Sequence, residues 1–78
     1  MKKDYAMPKD DWSKLATNVL KGELVRAGVD YQELVRRLQS HGLNETYQSV
    51  AAKINRGTFS FTFFLQCMMA LGKTEIRL

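Results

Sequence analysis

The residue types best suited to chemistry lie in LNETYQSVAAKINRG, residues 43 to 57. Its apolar members Leu43, Tyr47, Val50, Ala51 and Ile54 recur at the i, i+3, i+4, i+7 spacing of one helix face. That spacing predicts a helix with this face turned inward. The opposite face then carries Glu45, Ser49, Ala52 and Arg56, flanked by Gln48 and Asn55 on one side and by Thr46 and Lys53 on the other. Small side chains let a helix backbone come close to a surface, while Gln48, Lys53 and Arg56 reach outward with hydrogen-bond donors. Such a row suits a polar, anionic surface, and duplex DNA is the first candidate. An ordinary solvated helix face has the same composition and stands as the alternative.

Other chemistries find fewer residues. One histidine, His41, and one cysteine, Cys67, fall on different predicted elements, and Cys67 sits in a greasy segment where an inert buried thiol is the usual outcome. No catalytic residues are expected. The same scarcity leaves no Cys/His framework for zinc, and no acidic cluster is spaced for calcium or magnesium, so neither a metal nor a cofactor is expected. GTFSF lacks both the spacing and the lysine of a phosphate-binding loop.

Bulk properties narrow the partners. Seventy-eight residues make one domain, and a chain this short buries only about two-thirds of its unfolded surface, so a second copy would add useful stability. The formal charge of +4 and a pI near 9.5 favour anionic partners. A single cysteine excludes an intrachain disulfide and fits a reducing cytoplasm. No apolar run is long enough for a signal peptide or a membrane span, so no membrane partner is expected.

The elements that must position the polar row read as four helices. Residues 1 to 10 form a polar lead containing Pro8, and Asp10 or Asp11 is placed to cap a first helix from about Trp12. Trp12, Leu15, Ala16 and Val19 start its apolar stripe, Leu20, Leu24 and Ala27 continue it, and Gly28 ends it. Glu23 falls awkwardly within that stripe and needs Arg26 or another basic group. Asp30 with Glu33 has capping-box spacing for a second helix, whose Tyr31, Leu34, Val35 and Leu38 face inward while Arg36 and Arg37 face out. Arg36 and Arg37 could touch phosphates or only aid solubility. Asn44 can cap the third helix, and Ser60 the fourth, which ends at Gly72.

The fourth segment, FTFFLQCMMALG, is almost wholly apolar. Phe61, Phe64, Leu65, Met68 and Leu71 account for one core stripe, which leaves Phe59, Phe63, Cys67 and Met69 over. Either the helix is covered on both sides or the second face meets another chain. In the tail TEIRL, Thr74, Ile76 and Leu78 alternate with Glu75 and Arg77, a short strand pattern that needs a partner strand.

The succession of a helix, Gly28-Val29-Asp30, the helix YQELVRRL, a glycine turn, a helix ending AAKINRG and a helix ending ALG resembles a Cro/CI-type, lambda repressor-like helix-turn-helix domain over about residues 12 to 72. WSKLATNVLKGEL, GVDYQELVRRL, KINRGTF and FFLQCMMALG are also similar to a family of short bacterial domains of unassigned function. The helix-turn-helix resemblance implies a compact all-α, four-helix domain over 11–73, to which the alternation in TEIRL adds a short extended segment over 74–78. It implies that helix 44–56 enters the major groove, with Gln48, Ser49, Ala52 and Lys53 facing the bases and Arg56 at the backbone edge.

Departures from the pattern modify those expectations. Val35 stands where a small residue is usual, and Gly42 to Gly57 is about three residues longer than usual, so the third helix either gains most of a turn or begins later, near Thr46. Tyr31 replaces a glutamine that commonly binds phosphate, and Glu45 would repel phosphate unless it reads a cytosine amino group.

Two functions fit these residues. One is a small transcriptional regulator binding double-stranded DNA, as a monomer or a homodimer, through Arg36, Arg37, Thr46, Gln48, Ser49, Ala52, Lys53 and Arg56. The other is a protein-interaction adaptor using the apolar face of helix 61–71, with Phe59, Phe63, Cys67 and Ile76 as the self-association surface.

Overall fold

The computed structural model describes residues 9–76, with side chains from Asp11 onward. Expectations for residues 1–8 and for Arg77 and Leu78 lie outside the described residues. The chain is all-α, with helices α1 (Lys9–Ala27), α2 (Tyr31–Ser40), α3 (Tyr47–Arg56) and α4 (Phe61–Ala70). No strand forms among the described residues. Lys73 to Ile76 carry no regular structure, as a strand pattern without a partner strand requires.

Local chemistry sets most helix ends. The Asp30 carboxylate accepts from Glu33 N at 2.8 Å, and Ser60 Oγ accepts from Phe63 N at 3.0 Å, so both caps stand where the sequence places them. The first and third helices begin elsewhere. α1 starts at Lys9, which puts Asp10 and Asp11 inside the helix rather than at its cap. α3 starts at Tyr47 and is capped by Thr46, not Asn44, through a reciprocal box: Ser49 N donates to Thr46 Oγ1 at 3.1 Å and Thr46 N to Ser49 Oγ at 2.9 Å. The later of the two expected starts is the one adopted, and the connector after α2 is correspondingly long.

One core joins all four helices. Leu20 and Leu24 of α1, Leu34 and Leu38 of α2, Val50 and Ile54 of α3, and Phe63, Phe64, Cys67 and Met68 of α4 are buried together. Each fully buried aliphatic side chain contributes about 1.5–3 kcal/mol. Glu23 is buried with them at 2% exposure. Its Oε2 lies 2.9 Å from Arg26 Nη2 without a hydrogen bond, and its Oε1 lies 4.0 Å from Lys73 Nζ. The awkward charge thus has two cationic neighbours, one on its own helix and one beyond α4.

Three apolar expectations need correcting, and the first is Tyr47, expected to face inward on α3 but 50% exposed at its first turn. Phe63 and Cys67 are core residues, at 4% and 0% exposure, whereas Phe61 and Leu65 stand out at 66% and 46%. α4 is rotated by roughly a quarter turn from its expected facing, because only Thr62 and Gln66 interrupt an apolar segment, and two polar residues orient it weakly. Phe63 and Cys67 therefore offer no self-association surface. Burial pushes the Cys67 thiol up to about 12, with the Glu45 charge adding and that of Lys53 opposing, so it is protonated and inert at neutral pH. In α1, Trp12 and Leu15 are half exposed rather than core. Nineteen residues reach about 28 Å, nearly twice the length of the other helices, and the first turns overrun the core.

How α3 ends differs from the rest. α1, α2 and α4 close on themselves, each through a bond reaching back five residues: Val29 N to Leu24 O, Leu43 N to Leu38 O, and Lys73 N to Met68 O, at 2.9–3.0 Å. At the end of α3, Gly57 N donates to Lys53 O at 3.2 Å, and the Ile54 carbonyl is taken by Thr17 Oγ1 of α1 at 2.6 Å. Gly57 makes this crossing possible. At its φ of +73° a Cβ would sit 2.0 Å from the Ser13 carbonyl oxygen, a contact that no side-chain motion relieves.

Gly28, at φ +68°, faces open space: a Cβ there would meet nothing within 4 Å, so its replacement isolates the backbone cost alone. Gly28→Ala is expected to cost about 1–2 kcal/mol, and Gly57→Ala at least about 3 kcal/mol because the clash adds to the same conformational penalty. Urea denaturation of the two variants checks the difference.

Candidate nucleic-acid interface

The outer face of α3 is narrower in function than its sequence suggests. Gln48, Ala52, Asn55 and Arg56 are exposed and share the side of the helix opposite Val50 and Ile54. Ala52 stands between the amides and the guanidinium, so nothing bulky blocks approach to the backbone. Asn55 Oδ1 accepts from Tyr31 Oη at 3.4 Å, and Tyr31 packs edge-on against Tyr47, with ring centroids 6.0 Å apart. The start of α2 thereby buttresses one edge of the row.

The other edge is an internal network. Lys53 Nζ donates to Glu45 Oε2 at 2.7 Å and lies 4.8 Å from the centre of the Phe63 ring. Glu45 Oε1 accepts from Ser49 Oγ at 2.7 Å, and Gln39 Nε2 donates to the Glu45 carbonyl at 2.9 Å. Together these bonds hold the connector between α2 and α3 in place. Thr46, Ser49 and Lys53 are thus occupied in capping and pairing, and the cation over the aromatic face adds about 0.5–2 kcal/mol. The negative charge of Glu45 is turned inward, with a side chain 13% exposed.

Arg36 and Arg37 go elsewhere. Both pair with Glu33, Arg37 through Nε to Oε2 at 2.9 Å, and Arg37 Nη1 also donates to the Ala70 carbonyl at 3.3 Å, tying α2 to the end of α4. The hydrogen bond from Arg37 holds the Glu33 carboxyl below its ordinary range; burial opposes this, and the charges of Arg36 and Arg37 reinforce it. Of the residues singled out in the sequence, the structure brings Gln48, Ala52 and Arg56 onto one open row and leaves Arg36 and Arg37 with contacts to Glu33 and α4. Phe59 is half buried against the core, and Ile76 is exposed.

The residues of α1 gave no functional expectation from sequence. Yet Ser13, Lys14, Thr17 and Asn18 of α1 face Asn55 and Arg56 across a cleft of about 420 Å³. The spacing of Ser13, Lys14, Thr17 and Asn18 is a helical polar stripe, which is the signal that was there to find. A second, apolar groove is lined by Trp12, Leu15, Val19, Phe59, Phe61, Phe64 and Ile76. Among the described residues no group of histidine, cysteine and carboxylate side chains is placed to hold a metal ion, and no helix is long and apolar enough to cross a membrane.

The Glu45–Lys53 pair makes stability depend on pH. Burial raises the Glu45 carboxyl, but the hydrogen bonds from Lys53 and Ser49 and the Lys53 charge outweigh it, so its folded value lies below the ordinary 4.5. A depressed folded value contributes stability that is fully present above 4.5 and is lost as pH falls below it. Glu45→Gln is expected to lose about 1 kcal/mol at neutral pH. The gap from the wild type should close as pH drops below the ordinary carboxylate range, read by denaturant titration at a series of pH values.

No curated protein and no solved structure matches the chain. A family model does match, over residues 12–76, from Trp12 near the start of α1 to the exposed Ile76. Apart from the start of α1, the four helices, the α1–α3 crossing and the polar row all fall within that span, and the chain belongs to the family described as Domain of unknown function (DUF6471).

Proposed function

We propose that this chain is a double-stranded DNA-binding protein, a transcriptional regulator built as a lambda repressor-like helix-turn-helix domain, in which α3 enters the major groove and α2 crosses the backbone. The observation that carries this reading is the exposed row Gln48, Ala52, Asn55 and Arg56, which contains donors, a small residue and a cation but no carboxylate. Amide side chains pair with adenine edges and guanidinium with guanine or phosphate, and Ala52 tolerates a thymine methyl group. Pairing with Lys53 answers the repulsion that Glu45 would otherwise offer a phosphate. A net charge of +4 supplies the long-range attraction.

A second reading rests on a separate observation. Phe61, Leu65 and Met69, one turn apart along α4, are exposed at 66%, 46% and 47% and continue into the apolar groove beside Trp12 and Leu15. This stripe serves protein contact, and a regulator acting as a homodimer would use both surfaces.

Fluorescence anisotropy with mixed-sequence duplex checks the first reading. Wild-type affinity should fall steeply with salt, and Arg56→Ala should weaken binding on every sequence while reducing the slope of log affinity against log salt by about 0.9. Binding that is absent at low salt, or indifferent to salt, would contradict it. For the second, Phe61→Asp should shift sedimentation from dimer to monomer without loss of helix content; a wild type that sediments as a monomer at all concentrations removes the dimer.

A further inference from the structure

The cleft between α1 and the end of α3 gathers Ser13, Lys14, Thr17, Asn18, Asn55 and Arg56. Two cations, two amides and two hydroxyls line it, with no carboxylate among them. Its volume of about 420 Å³ is many times the share of one water molecule, about 30 Å³. Space and donor chemistry both fit a hydrated phosphate group.

A helix C-terminus ordinarily repels an anion through its unpaired carbonyls. Here two of the last carbonyls of α3 are already engaged, Ile54 O by Thr17 Oγ1 at 2.6 Å and Lys53 O by Gly57 N at 3.2 Å. The end of α3 beside the cleft is correspondingly less of an acceptor surface. It is also fixed in place, since Gly57 rests directly on the Ser13 backbone. The adjacent cleft bearing Lys53, Arg56 and Thr58 is different, because its lysine is bound to Glu45.

Asn55 and Arg56 belong both to the outer row of α3 and to this cleft. A nucleic-acid strand leaving the row is therefore led toward α1, where Lys14 and Asn18, one helical turn apart, are exposed. We propose that the α1–α3 cleft seats a backbone phosphate of duplex DNA, held by Lys14 and Asn18 from one side and by Asn55 and Arg56 from the other. The assignment rests on the DNA-binding reading of α3 and adds α1 to the interface. Because the contact is to phosphate, it contributes equally on every sequence.

The test uses the full chain and two unrelated duplexes, followed by anisotropy across a salt series, with circular dichroism melts alongside. Lys14→Ala should weaken binding to both duplexes about three- to tenfold at low salt and lower the salt slope by about 0.9, while Lys14→Arg retains both. Asn18→Asp, which sets a carboxylate in the cleft, should weaken binding further. Both positions are exposed, so melts should match the wild type. If Lys14→Ala and Asn18→Asp bind like the wild type while Arg56→Ala does not, the cleft assignment is overturned and the reading of α3 stands. If the wild type binds neither duplex at low salt, both fall together.

Discussion

The arrangement depends on the crossing of α3 over α1. Three helices finish through their own backbone alone, but α3, which keeps one such bond from Gly57 N to Lys53 O, is completed by Thr17 from another helix, with its glycine pressed against the Ser13 carbonyl. A tertiary contact thereby does what a local motif does elsewhere. It sets which side of α3 faces out, since Ile54 cannot leave the core without breaking the Thr17 bond. The same contact forms the cleft that carries Lys14 and Asn18 alongside Asn55 and Arg56. Core packing and the proposed binding surface are two sides of one joint.

Electrostatics then sorts the charged side chains. Glu33 takes Arg36 and Arg37, Glu45 takes Lys53, and buried Glu23 lies beside Arg26 and Lys73. These pairs clamp helix ends and connectors, and each offsets the charge of a carboxylate. Beside Ala52, what the outer row of α3 displays is polar and cationic. Glu45 illustrates the effect best: as a free charge at the start of α3 it would oppose an anionic partner, but folded against Lys53 and Ser49 it stabilises the connector.

Much of this was legible in the residues. Asp30 and Ser60 announce their caps, glycines mark the helix ends, and Leu34, Leu38, Val50 and Ile54 follow helical spacing into the core. The failures share a cause. Asn44 and Thr46 are both competent caps, and only the reciprocal bond with Ser49 selects Thr46. FTFFLQCMMA has only Thr62 and Gln66 to interrupt its apolar residues, so packing into the shared core, more than periodicity, decides that Phe63 and Cys67 go in and Phe61 and Leu65 stay out. Lys53 looks like an outward cation until the fold brings Glu45 and Phe63 beside it. The role of α1 in the cleft depends on a partner 37 residues away along the chain, beyond the reach of any local pattern.

If α3 is the DNA-reading element, the row Gln48, Ala52, Asn55 and Arg56 must meet the duplex. The most direct measurement is a titration of isotope-labelled protein with a mixed-sequence duplex at low salt, following backbone and side-chain amide signals by nuclear magnetic resonance. The largest shifts should fall on Gln48, Ala52, Asn55 and Arg56, extend to Ser13 through Asn18, and spare Phe61, Leu65 and Met69. Shifts confined to the exposed stripe of α4, or none anywhere, would contradict a DNA-reading α3.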